Sequence, residues 1–254
     1  MISTLAKDPI ARIVSLLWLG LAALYFIPAV PHDLLERLGD RYSTLPLWPW
    51  AAAACLYGLG GDTPAPTRRF WRLQALSFVA LLAIEVPWAL ARASNTPAWD
   101  IAAEWCYFAY YACQLASAAR TRTGAIAAVL VSAAAAIALS ATALKMPSLY
   151  ASADPSYLTY LLFDLAMTVS FWRLNKRSSG SWATVVTGLA CTSALVFATD
   201  MLDWLSYKEV LYLVAGMRTD VLWTLPPLCY ALVARLGRIT PLRGVNGLRG
   251  TSTV

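Results

Sequence analysis

Eight long apolar runs separated by short polar loops constrain this chain more than any other feature of its sequence. A bilayer core about 30 Å thick requires about 20 apolar residues per helix, and somewhat shorter helices are tolerated in a bundle. The approximate bounds of the runs are 13–31, 46–60, 70–91, 100–119, 124–144, 157–173, 183–205 and 210–234. The sequence therefore predicts an all-α, polytopic membrane helix bundle with about eight transmembrane helices.

The composition argues against a soluble fold. Charged residues make up 13% of the 254 residues and hydrophobic residues 59%, whereas an ordinary soluble domain carries about 25% charged residues. The net charge of +6 does not indicate nucleic acid, because the Lys and Arg residues lie between the apolar runs rather than in one strip. We therefore expect the lipid bilayer as a partner and no nucleic acid.

The charges in the loops predict the orientation of the bundle. Basic residues favour the cytoplasmic side of a membrane, and in an eight-helix arrangement 14 of the 20 Lys and Arg residues fall on the side of the N-terminus. We predict that both termini are cytoplasmic and that residues 1–254 form one integral-membrane domain with a flexible basic tail at 237–254. The first run lacks a cleavage pattern and is expected to be retained. The membrane is expected to be a bacterial inner membrane or the endoplasmic reticulum.

The sequence offers little for metal or nucleophilic chemistry. His32 is the only histidine, and the five cysteines lie inside apolar stretches without CxxC spacing, whereas zinc sites and Ser-His-Asp triads need several such groups. Asp200 and Asp203 are spaced like one half of a magnesium–diphosphate site, but a second acidic cluster is missing. We expect neither a metal nor a cofactor.

Carboxyl groups inside the apolar runs indicate where function resides. Each one costs at least about 2.5 kcal/mol to insert into a membrane. Counting about 1.5 Å per residue from the predicted cytoplasmic ends places Glu85, Asp220 and Glu104 in one layer, roughly 20 to 24 Å deep. The same count places Asp164 near 14 Å and Asp200 near 27 Å, as flanking candidates. Arg218 is close enough in sequence to pair with Asp220 and give it a structural role instead.

Aromatic residues accompany this predicted carboxyl layer. Interfacial aromatic belts account for part of them, but four lie within six residues of a layer carboxyl: Trp88, Trp105, Tyr110 and Trp223. Burial keeps an acid protonated and able to donate its proton, and the faces of aromatic rings stabilise a cation. Together these properties suit carbocation chemistry on a prenyl chain.

Short motifs carry a resemblance to a known family. Glu85 is followed by Trp88, and Asp220 is followed by Trp223. Within 170–194, a loop that contains Arg177, Ser178, Gly180 and Ser181 leads into the next helix. That helix carries a step of small residues, Gly188, Cys191 and Thr192. These features resemble the small membrane-integral terpene cyclases of fungal meroterpenoid and indole-diterpene pathways and their bacterial relatives.

The resemblance implies a seven-helix core over about 46–236, preceded by one extra helix, and it implies Glu85 and Asp220 as the catalytic acids. The expected activity is a metal-independent cyclisation of isomerase or lyase type, in which a proton starts ring closure of a prenylated small molecule, with or without an epoxide, in secondary metabolism. The residues expected to line the path of the cation are Trp88, Glu104, Trp105, Tyr110 and Trp223. The alternative is a non-enzymatic sensor module or a proton-coupled carrier, since a layer of carboxyls can also relay protons.

Overall fold

The computed structural model describes residues 5–37, 47–57, 65–94, 96–152, 154–211, 213 and 218–239. These ranges contain helices and connecting turns and no β-strand. A short 3-10 turn, Arg218–Asp220, precedes the last helix. In chain order the α-helices are α1 (Pro9–Leu24), α2 (His32–Arg37), α3 (Leu47–Tyr57), α4 (Ala65–Ser94), α5 (Pro97–Ala118), α6 (Arg122–Lys145), α7 (Pro147–Ala151), α8 (Asp154–Asn175), α9 (Gly180–Tyr207) and α10 (Val221–Ile239).

Within the described ranges, three helices are long and apolar enough to cross a bilayer: residues Thr67–Pro87 of α4, the whole of α6 and the whole of α9. The exterior of α6 exposes large apolar side chains, among them Leu130 at 63% and Leu144 at 70%. A surface of this kind is stable against lipid and costly against water. The helices of the described residues confirm the predicted all-α bundle. Its apolar exterior is compatible with contact with a bilayer.

Six of the helices close into a ring in which each packs against the next. The order around the ring is α3, α4, α5, α8, α9 and α10, and α10 returns to α3. Outside this ring, α6 packs against α5 and α1 packs against α10. The ring places the inward faces of α5, α8 and α9 side by side.

Tyr230 of α10 fills the centre of the ring and is fully buried. The centroid of its aromatic ring lies 5.1 Å from that of Phe78 and 6.1 Å from that of Trp48. Its hydroxyl oxygen lies 3.2 Å from Tyr110 Oη and 3.4 Å from Ser193 Oγ. One residue from each of the other five ring helices meets Tyr230: Trp48, Phe78, Tyr110, Met167 and Ser193.

Two polar contacts attach α1 to α10. Asp8 caps α1 by accepting the N–H of Ala11 at 2.9 Å, and its two oxygens accept hydrogen bonds from Nε and Nη2 of Arg235 at 2.9 and 2.7 Å. Farther along the helix, Trp18 Nε1 donates to Thr224 Oγ1 at 2.7 Å. The helix that the resemblance treats as an addition to the core is thus fastened to the ring at two levels.

Several boundaries differ from the sequence prediction, most of all near the two ends of the chain. The helix expected over 13–31 ends at Leu24, and the helix expected to begin before residue 218 begins at Val221. The predicted tail also starts too early, because 237–239 belong to α10; residues 240–254 lie outside the described residues. Apolarity marks residues that face lipid or the core and does not tell a helix from irregular backbone at its ends.

Replacing Asp8 by Asn tests the attachment of α1. Asn still caps the helix but loses the charge that pairs with Arg235, so we expect the free energy of unfolding to fall by about 1–3 kcal/mol. Asp8→Ala should lose about 1 kcal/mol more, because the cap is also removed. Unfolding of the purified protein in detergent measures both values, and wild-type stability for Asp8→Asn would contradict a stabilising ion pair.

The loss of stability in Asp8→Asn should depend on pH. The hydrogen bonds from Arg235 hold the pKa of Asp8 below its ordinary value of 3.8. A carboxyl whose pKa is lowered by folding stabilises the folded state at pH values above 3.8 and loses that effect as the pH falls through the lowered pKa. The difference between wild type and Asp8→Asn should therefore shrink in strongly acidic buffer.

Candidate functional site

Two aspartates from neighbouring helices contact each other near the central tyrosine. Asp164 of α8 is fully buried, and its carboxyl group lies within hydrogen-bonding reach of Asp200 of α9. Tyr111 of α5 donates a hydrogen bond to Asp164 Oδ1 at 2.9 Å, while Oδ2 receives none from an N–H or O–H of the described residues. Because two ionised carboxylates in contact repel each other, we infer that this acid pair shares one proton.

Glu104 of α5 is a second buried carboxyl group, and three hydroxyl groups surround it. Its Oε1 accepts hydrogen bonds from Tyr150 at 3.0 Å and Ser156 at 2.9 Å. Its Oε2 accepts a hydrogen bond from Tyr160. Ser156 and Tyr160 are four residues apart and therefore share a face of α8. Glu104 thus joins α5 to both α7 and α8.

Further acidic residues lie between the acid pair and the end of the bundle where α8 begins and α9 ends. Asp203 follows Asp200 by three residues on α9 and accepts a hydrogen bond from Tyr157 at 2.7 Å. At the surface, Lys208 Nζ donates to Asp154 at 2.6 Å. We call Glu104, Asp164, Asp200, Asp203 and the tyrosines bonded to them, Tyr111, Tyr150, Tyr157 and Tyr160, the acid–tyrosine cluster.

Aromatic rings pack against the acid–tyrosine cluster. The ring centroid of Tyr111 lies 5.0 Å from that of Tyr110 and 5.1 Å from that of Phe163. Tyr160 stacks on Tyr107 with a centroid distance of 4.8 Å. Ring faces carry negative potential and attract cations. The surroundings of the buried carboxyls are therefore suited to a positive charge.

Polar residues continue along α5 from the acid pair toward the other end of the bundle. Gln74 Nε2 donates to Gln114 Oε1 and Ser117 Oγ, both at 2.8 Å. Gln114 Nε2 in turn donates to Ser77 Oγ at 2.8 Å. Since Tyr111, Gln114 and Ser117 follow one another at intervals of three residues, they share one face of α5. This face is polar over two helical turns.

The predicted lining residues have different environments. Glu104 is buried within the acid–tyrosine cluster. Tyr110 is buried beside it, against Tyr111. Trp105 is 43% exposed and lies on the outside of α5. Trp223 is half-buried in the first turn of α10, and the side chain of Trp88 lies outside the described residues.

The two predicted catalytic acids lie on elements other than those that carry the acid pair. Glu85 is half-buried on α4. Asp220 ends the 3-10 turn before α10 and interacts electrostatically with Tyr25, which follows α1. Both carboxyls make interactions within the chain.

The contact between Asp164 and Asp200 corrects the depths assigned to them from the sequence, which differ by roughly 13 Å. Residue counting assumes that every helix crosses the bundle alike, but α8 has 22 residues and α9 has 28. The hydroxyl donors Tyr150, Tyr157 and Tyr160 are not among the residues predicted from the sequence. Tyr157 and Tyr160 are three residues apart, and Tyr160 lies one turn before Asp164. This spacing places both tyrosines on the face of α8 that carries Asp164.

The described residues also form cavities outside the acid–tyrosine cluster. One of about 860 Å³ is lined by arginines at the opposite end of the bundle, and one of about 230 Å³ lies between α1, α3 and α10. Among the described residues, no group of three His, Cys, Asp or Glu side chains is arranged to hold a metal ion.

No family model, no curated protein and no solved structure matches this chain.

Replacing Asp200 tests the shared proton through stability. An Asn at this position can donate its amide N–H to Asp164 Oδ2, so we expect Asp200→Asn to unfold within about 1 kcal/mol of wild type. Asp200→Leu has a similar size but no donor, and the unsatisfied oxygen should cost about 1–3 kcal/mol. Thermal unfolding in detergent compares the two, and an equal loss in both variants would contradict the proposed hydrogen bond.

Proposed function

We propose that the protein is a membrane-embedded terpene cyclase that starts ring closure of a prenylated small molecule by donating a proton. The observation that carries the proposal is the contact between Asp164 and Asp200, since a pair of carboxyls that needs a shared proton is also a source of one. The motifs around Glu85, Asp220 and Arg177 support the same reaction through their resemblance to small membrane-integral terpene cyclases.

In this proposal the proton passes to a terminal alkene carbon or epoxide oxygen of the prenyl chain. The π electrons of each neighbouring alkene then form a new carbon–carbon bond, and the last cation loses a proton to a carboxylate. Substrate and product therefore have the same mass. The rings of Tyr110, Tyr111 and Phe163 would stabilise the intermediate cations, and the reaction needs no metal or cofactor.

Burial distinguishes the roles of the two aspartates. Asp164 is fully buried, whereas Asp200 is partly exposed, so Asp200 is the member of the pair that a substrate can reach. We assign the donor role to Asp200 and a positioning role to Asp164, which Tyr111 holds in place. Glu85 and Asp220, the acids that the resemblance implies, are the alternative donors.

The proposed setting is a multi-pass arrangement of eight spans with both termini in the cytoplasm. The three clearly membrane-capable helices and the helical character of the other apolar runs support it. The excess of Lys and Arg on the side of the N-terminus supports the orientation. A bacterial inner membrane or the endoplasmic reticulum is the proposed location.

A proton-coupled carrier is the second candidate, and the polar face of α5 favours it. Tyr111, Gln114 and Ser117 extend from the acid pair toward the arginine-lined cavity, whose wall includes Ser117. Protonatable and polar groups arranged in this way inside a membrane can relay protons.

Conversion of a prenylated substrate tests the cyclase proposal directly. The chain is expressed with farnesylated or geranylgeranylated aromatic compounds, with and without a terminal epoxide, and mass spectrometry detects an isomer of unchanged mass. We expect Asp200→Asn to lower isomer formation by about 10²–10⁴-fold, the usual contribution of a general acid. Asp100→Asn makes the same chemical change on α5 outside the acid–tyrosine cluster and should retain activity.

The outcomes separate the candidates. Loss of the isomer in Glu85→Gln or Asp220→Asn, with full activity in Asp200→Asn, would contradict the role of the acid pair and assign the donor to the acid that the resemblance implies. Absence of any isomer from folded protein would contradict the cyclase. In that case the carrier predicts proton uptake into vesicles that Gln114→Leu abolishes.

A further inference from the structure

A cavity lined by arginines lies at the end of the bundle opposite the acid–tyrosine cluster. It has a volume of about 860 Å³ and lies where α4, α6 and α9 begin and where α5 and α8 end. Arg69, Arg120, Arg173 and Arg177 contribute to its wall, and the described residues that line it include no carboxylate.

The four guanidinium groups have no counter-charge within the described part of the chain. None of them pairs with a carboxylate there; the ion pairs shown join Lys208 to Asp154 and Arg235 to Asp8. Cations that face one cavity repel one another and together favour an anion. Guanidinium groups in particular bind phosphate oxygens through paired hydrogen bonds.

Two further groups of hydrogen-bond donors lie in the same wall. The long helix α9 begins there, and Ser179 at its N-cap position makes no capping hydrogen bond through its side chain, so N–H groups of its first turn can bind an anion. Trp182 also lines the cavity and is 3% exposed, and its Nε1 has no acceptor among the described residues. A buried N–H without an acceptor is costly, and a ligand oxygen would relieve that cost.

The remainder of the wall is apolar and borders the exterior of α6. Phe70, Ala127 and Val131 belong to it, and Val131 is 58% exposed on the apolar exterior of α6. A ligand of this cavity can therefore combine an anionic head with an apolar chain. The volume lies within the range of about 300–1,000 Å³ that is usual for ligand sites.

We propose that this cavity is a binding site for a phosphate or diphosphate group, held by Arg69, Arg120, Arg173 and Arg177. The group can belong to a membrane lipid, whose chain would lie along α6, or to a soluble phosphate compound. This inference does not depend on the proposed cyclase activity, because the cavity lies at the other end of the bundle from Asp164 and Asp200.

Native mass spectrometry of the full chain in neutral detergent tests the proposal, with phosphatidic acid and inorganic pyrophosphate titrated separately. The double variant Arg173→Gln/Arg177→Gln should bind about a hundredfold more weakly than wild type, since each lost charge-assisted contact costs about tenfold. Arg72→Gln/Arg122→Gln removes the same charge from the same end of the bundle but outside the cavity, and it should bind like wild type.

The two ligands distinguish the source of the phosphate. Saturable binding of phosphatidic acid alone supports a lipid ligand, and binding of pyrophosphate that displaces the lipid supports recognition of the phosphate group itself. Equal weakening in both double variants would overturn the proposal, because the arginines would then attract anions only through the overall charge of that end. Absence of saturable binding by either ligand would overturn it as well.

Discussion

A carboxyl group inside a helix bundle must receive either hydrogen bonds or a proton, and the contacts among α5, α7, α8 and α9 follow from that requirement. Glu104 receives three hydroxyl donors. Asp164 receives one phenol, from Tyr111, and otherwise faces Asp200. Since apolar residues would pack these helices at lower cost, the presence of the acids supports a functional role for the proton that they hold.

The bundle has opposite chemistry at its two ends, and Tyr230 lies between them. Asp164 and Asp200 lie on the side of Tyr230 where α8 begins and α9 ends, whereas the arginine-lined cavity lies where α8 ends and α9 begins. The amides of Gln74 and Gln114 occupy the stretch toward the cavity. Because Tyr230 meets one side chain from every other helix of the ring, its position fixes the relative heights of the groups on both sides.

The sequence predicts the helices well and the site only in part, for physical reasons. Apolar runs locate the helices because burial in lipid or in the core requires apolar residues wherever a helix crosses. Glu104 is recognisable as a buried acid in an apolar run, but the adjacent Trp105 faces outward because neighbouring residues differ by about 100° around a helix. The contact between Asp164 and Asp200 depends on the relative height and rotation of two helices, which no local pattern encodes. The pairing of Asp8 with Arg235 joins positions 227 residues apart, and no local sequence pattern predicts it either.

Infrared spectroscopy of the protein in lipid vesicles can detect the proton that Asp164 and Asp200 are inferred to share. We expect a carbonyl band of a protonated carboxylic acid that shifts when aspartate is labelled with ¹³C and that disappears in both Asp164→Asn and Asp200→Asn. Loss in both variants is expected because the new amide donates to the remaining carboxylate and replaces the proton. A wild-type spectrum without such a band, or a band that persists in both variants, would contradict a shared proton.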